Sequence, residues 1–144
     1  MVGPARTAVG VAALIGVSLC AALAVAGPSP QKSVHDGIFT PAQVEAGKAV
    51  FESICRDCHT TDVFGPDYMS SWSGASVGEF FVSVQATMPY ENPGGLEDKD
   101  YAAVIVYLFS LNGVAAGESE LTTEVGELYE INIDGPFKWN GTER

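Results

Sequence analysis

Two cysteines, a histidine and a Gly-Pro pair are crowded into residues 52–69, ESICRDCHTTDVFGPDYM. Thiols and an imidazole at this spacing can hold a metal ion, exchange disulfides or carry a cofactor. A structural zinc site needs about four ligands, commonly from two Cys or Cys/His pairs. The full chain has three cysteines and two histidines. Of these, Cys20 lies in an N-terminal leader and His35 is isolated in sequence. A thioredoxin-like redox pair opens a helix within a βαβ unit, whereas here the helical pattern runs into the motif and stops. A disulfide across a two-residue gap is strained and crosslinks almost nothing.

What remains is Cys55-Arg56-Asp57-Cys58-His59, the C-x-x-C-H pattern that attaches a c-type haem. Its spacing follows from the chemistry. Two thiols on one helical turn reach the two vinyl groups on one porphyrin edge, and the next imidazole falls under the iron as an axial ligand. An imidazole ligand is steadied by a second-shell acceptor. Pro66, seven residues beyond His59, offers its carbonyl to the Nδ1 proton. For the other axial position the candidates are Met88, Met69, His35 and lysine. Met69 follows the segment assigned to the His59 side, and His35 approaches from the same end. Met88 closes a helix and is followed by Pro89 and a Gly/Pro-rich turn, so its side chain can project from irregular backbone. Met88 is the expected ligand, with His35 or an open site as the alternatives.

Helices must place these groups. Thr40, Pro41 and Gln43 form a capping box with proline in the first turn. Val44, Gly47, Val50, Phe51 and Ile54 then recur at helical spacing up to Cys55. Residues 60–74, rich in Asp, Gly, Pro and Ser, read as loop. Ser76 and Glu79 make a second capping box, and Pro89 stops that helix at Met88. Glu97, Asp98 and Asp100 start a third helix, YAAVIVYLFSL, that ends at the cap pair Asn112-Gly113. It is apolar on most sides, so it is expected to pack on two. Three short helices give a thin core that a bound group should fill.

The flanks carry different signals. Arg6 precedes an Ala/Val/Leu/Gly run ending Ala24-Val25-Ala26, so residues 1–26 read as a signal peptide. The alternative is an uncleaved membrane anchor, and only then is a membrane a partner. Residues 27–39 are read as an irregular lead-in, 40–113 as the functional domain, and 114–144 as an extension packed on that domain or on a partner. The whole chain carries a formal charge of −11, one unit more negative once Arg6 is removed. A chain this acidic is not a nucleic-acid binder, and its field favours a basic partner face.

With CRDCH, then GP, then TMP, then YLFSLNG, the chain resembles the class I c-type cytochromes. Gly47 and Phe51 match the family's first-helix crossing positions, and Tyr107 and Leu108 match their counterparts on the last helix. Residues 40–121 also look like cytochrome domains associated with periplasmic quinoprotein dehydrogenases, which share the TMP, the PG.L turn and the NG...AG..EL run. The resemblance implies an all-α class I cytochrome c fold, with three to four short helices and long loops around one haem c. That haem would be held by Cys55 and Cys58 and ligated by His59 and Met88. It further implies a periplasmic electron carrier, not an enzyme, between a dehydrogenase of the pyrroloquinoline-quinone type and a downstream oxidase or cytochrome. The interval from His59 to Met88 is shorter than in mitochondrial-type relatives, which trims the loop at one propionate edge. Trp72 is there either a packed anchor, the favoured reading, or a propionate donor. If Met88 does not bind iron, the open site implies a peroxidase-type enzyme or a small-gas sensor instead.

Overall fold

A computed structural model describes residue 3 and residues 31–141. The expected leader and its cleavage signal, with Arg6 and Cys20, lie outside the described residues. The described part is helical apart from one short strand pair. Helix α1 (Pro41–Val50) begins with the expected capping box: Thr40 Oγ1 accepts the Gln43 N–H, and Gln43 Oε1 accepts the Thr40 N–H. The chain then winds into a π-helical turn over Phe51–Cys55, whose wider ring is closed by the Arg56 N–H on the Phe51 carbonyl at 2.9 Å. Such wide turns are rare and are found mostly near functional sites.

Residues 60–74 depart from the loop reading. A 3₁₀ turn covers Thr61–Phe64, and helix α2 covers Pro66–Ser71. The physical reason is that Pro66 sits in the first helical turn, where its missing N–H costs nothing and its fixed φ suits the helix. Asp67 complements the helix dipole in the same turn. Helix α3 (Val77–Thr87) carries the Ser76–Glu79 capping box and gives way to extended backbone at Met88. Helix α4 (Asp98–Leu111) follows Glu97 at its N-cap and ends through Asn112 to Gly113 at φ 82°, the left-handed position that ends a helix cheaply.

Every residue of α4 from Tyr101 to Phe109 is buried. One side packs closely on α1 and another meets α3. The α1–α4 crossing is tightest at Gly47, where an added Cβ would fall into the Ala103 carbonyl and crowd Tyr107 Cβ at 2.9 Å. Phe51 and Tyr107 extend that contact with ring centroids 5.6 Å apart.

The described residues on either side, 31–39 and 114–141, pack on this frame. Strand β1 (Lys32–Ser33) pairs in parallel with β2 (Ile131–Asn132), joining the lead-in to the tail. Val34, Ile38 and Phe39 of the lead-in are buried, as are Leu121, Leu128, Ile131 and Ile133 of the tail. The tail also forms a short helix α5 (Val125–Leu128) against α3. Gln43 has a second duty: its Nε2 donates to the Leu121 carbonyl at 3.0 Å, and its Oε1 accepts the Leu121 N–H at 2.9 Å. One amide thus caps α1 and tethers the tail.

Candidate functional site

The end of α1 shapes the motif. The Cys58 and His59 N–H groups both bond the Cys55 carbonyl, at 3.2 and 2.9 Å. This tight turn brings Cys55, Cys58 and His59 to the wall of one cavity of about 530 Å³. Both cysteines are free thiols, Cys58 exposed and Cys55 half-buried. Burial pushes the Cys55 thiol pKa up, because its thiolate is poorly solvated there. Met88 and Pro89 reach the same cavity from the end of α3, and Tyr101, Val104 and Leu108 from α4.

The arrangement fits a haem. The volume is that of pockets enclosing cofactor-sized ligands. The wall is built largely of apolar and aromatic side chains, including Phe51, Ile54, Phe64, Val84 and Leu96. Two thiols, an imidazole and a thioether, all donors suited to a c-type centre, converge on it. Among the described residues no group of three or more His, Cys, Asp and Glu is arranged to hold a metal ion directly.

The remaining candidates fall elsewhere. Met69 is fully buried in the core and does not line the cavity. His35 is exposed, with Nε2 donating to the Asp134 carbonyl at 2.8 Å, far along the chain from the motif and off the cavity wall. Trp72 lies on the wall and packs on Phe80, ring centroids 4.6 Å apart. The expected hydrogen bond from His59 Nδ1 to Pro66 is not formed in this structure. The His59 ring instead meets Phe64 edge-on, at 5.3 Å between centroids. Pro66 opens α2, where a carbonyl is turned along the helix axis toward the amide four residues on.

Sequence reasoning missed three residues of this site. Phe64 bridges the site to the core, 5.9 Å from the Phe51 ring and 5.2 Å from Tyr68. Asn112, read only as a helix cap, is completely buried. Its Nδ2 donates to the carbonyls of Phe64 at 2.7 Å and Leu108 at 2.9 Å, so it pins the His59-side loop to the end of α4. Its Oδ1 is buried with no partner among the described residues. Tyr101 donates its hydroxyl proton to the Met88 carbonyl at 2.7 Å. The helical period marks Tyr101 only as core, and no local pattern signals a bond thirteen residues back.

Residues 42–108 match the family model described as cytochrome C oxidase, cbb3-type, subunit III. The match spans the motif, the cavity and most of α4. Neither curated proteins nor solved structures gave a match.

Proposed function

We propose that this chain is a periplasmic mono-haem electron carrier of the class I c-type cytochromes, bringing single electrons from a dehydrogenase toward a respiratory acceptor, a reading supported by the match of residues 42–108 to a cytochrome family model. The observation that carries the reading is the convergence of Cys55, Cys58, His59 and Met88 on one apolar cavity of about 530 Å³. Cys55 and Cys58 would tether one haem by thioether bonds, and His59 and Met88 would bind its iron. When bound, the haem would supply a one-electron couple, and ligation by both Met88 and His59 would raise its potential.

The chain's own residues do the rest. Phe64 and Asn112 fix the wall behind His59, and the second lone pair of the Pro66 carbonyl, the one not engaged along the helix axis, would take the Nδ1 proton if the ring turned toward a bound haem. The aromatic wall excludes water, so a charge change is met by few mobile dipoles and little rearrangement. Cys58 and Tyr90 are exposed, Tyr90 at 84 %, and they mark the rim at which a partner approaches. A quinoprotein dehydrogenase as donor is supported by the TMP, PG.L and NG...AG..EL run. In this fold that run returns to the start of α1 through the Gly117 N–H on the Phe39 carbonyl at 2.7 Å.

Voltammetry of the purified holoprotein tests the reading. The expected result is a single reversible one-electron wave and no turnover of peroxide. Peroxide turnover at catalytic rates would replace the carrier by an enzyme.

A further inference from the structure

The backbone of Met88 is gripped from two helices. Its N–H bonds the Val84 carbonyl on α3 at 2.8 Å. Its carbonyl accepts from Tyr101 Oη, in the first turns of α4, at 2.7 Å. The Leu96 N–H points to the same phenol oxygen at 3.5 Å. One hydroxyl therefore touches both ends of the turn from Met88 to Leu96, donating at one and accepting at the other. The turn's internal bonds, Asn92 N–H to the Pro89 carbonyl and Gly95 N–H to the Asn92 carbonyl, do not reach α4. Tyr101 itself cannot drift: it is 1 % exposed, lines the cavity and meets Phe81 edge-on at 6.1 Å. Methionine has three rotatable bonds and specifies its own position poorly, so its aim depends on how firmly its backbone is held.

We infer that Tyr101 is a positioning residue for Met88, its phenol locking the Met88–Leu96 turn onto α4 so that the thioether stays directed into the cavity. The inference rests on the reading of Met88 as an axial ligand. It differs from a plain core role in what the hydroxyl controls: the equilibrium between Met88 and a competing ligand, rather than only the stability of the fold.

The test uses the ferric holoprotein titrated with imidazole, which displaces a weakly held methionine, alongside the weak red charge-transfer band of methionine-ligated ferric haem c. Tyr101→Phe keeps the ring and removes both contacts of the hydroxyl, the short one to the Met88 carbonyl and the long one from the Leu96 N–H, so imidazole should bind about five- to tenfold more tightly than to the wild type. The red band should weaken at the same time. Val106→Ala, buried on α4 but off the cavity wall, lowers stability without touching the turn and should leave the imidazole affinity unchanged. The inference is overturned if Tyr101→Phe binds imidazole like the wild type, if Val106→Ala shifts it equally, or if Tyr101→Phe cannot be obtained with haem, which would make Tyr101 a core residue. Met88→Ala separates the two layers. If it binds imidazole more tightly while Tyr101→Phe does not, only the positioning role falls. If it binds no more tightly than a wild type lacking the band, the ligand reading falls first.

Discussion

Asn112 joins the two halves of the site with one side-chain amide: two carbonyls, from Phe64 and Leu108, share its Nδ2. Removing it leaves the buried Leu108 carbonyl and the part-buried Phe64 carbonyl short of a donor, which costs about 1–3 kcal/mol. Asn112→Ala should lower the melting temperature of the holoprotein accordingly, while Asn112→Asp, which keeps the size but presents only acceptors when ionised, should do no better. At this scale the sequence is readable where chemistry is local. Cys55, Cys58 and His59 are neighbours, and their meeting at one wall follows from a single turn. Asn112 and Tyr101 act across 48 and 13 residues. Nothing in their own surroundings distinguishes a site residue from a cap or a core aromatic.

Among the elements, α1 and α4 approach closely because Gly47 has no side chain. Gly47→Ala improves intrinsic helix propensity by about 1 kcal/mol but drives a methyl into the Ala103 carbonyl. Since that obstacle is backbone, the helices must separate, and overpacking of this kind costs about 1–3 kcal/mol. The net effect should be a lower melting temperature and weaker haem retention, read by melting and by haem content. Helix α3 gives a pH prediction. The Glu79 carboxylate accepts the Ser76 N–H at 2.7 Å and its hydroxyl at 3.0 Å, which holds its pKa below the usual carboxylate value. A pKa lower in the folded than in the unfolded state contributes stability above the unfolded value, lost as pH falls through the folded one. The stability advantage of wild type over Glu79→Ala should therefore be present at neutral pH and shrink progressively below about pH 4.3, as followed by melting curves. Both capping boxes were legible because each is a four-residue pattern. The π turn at Phe51–Cys55 was not, since one wide turn leaves the apolar spacing almost unchanged. Helix α2 was hidden by a Ser/Asp/Gly composition typical of loops, although Pro66 marked its start.

For the whole molecule, the parallel pairing of β1 with β2 closes the chain on itself, and the tail spends Leu121, Leu128, Ile131 and Ile133 on the core. Register between two-residue strands about a hundred positions apart leaves no periodic trace, so the sequence alone does not say what the tail pairs with. The net charge, by contrast, needs no fold to be counted. At −11 it should steer a basic partner. The second-order rate of electron exchange with a basic redox protein should fall about tenfold as ionic strength rises from about 0.01 to 0.15 M. A rate independent of salt would remove the electrostatic part of the proposed encounter.

The most direct test of the central claim, a one-electron centre ligated by His59 and Met88, is the optical spectrum of the ferric holoprotein beside that of Met88→Ala. The account predicts low-spin ferric haem with a weak red charge-transfer band in the wild type, and loss of that band in Met88→Ala. High-spin ferric haem in the wild type would contradict it.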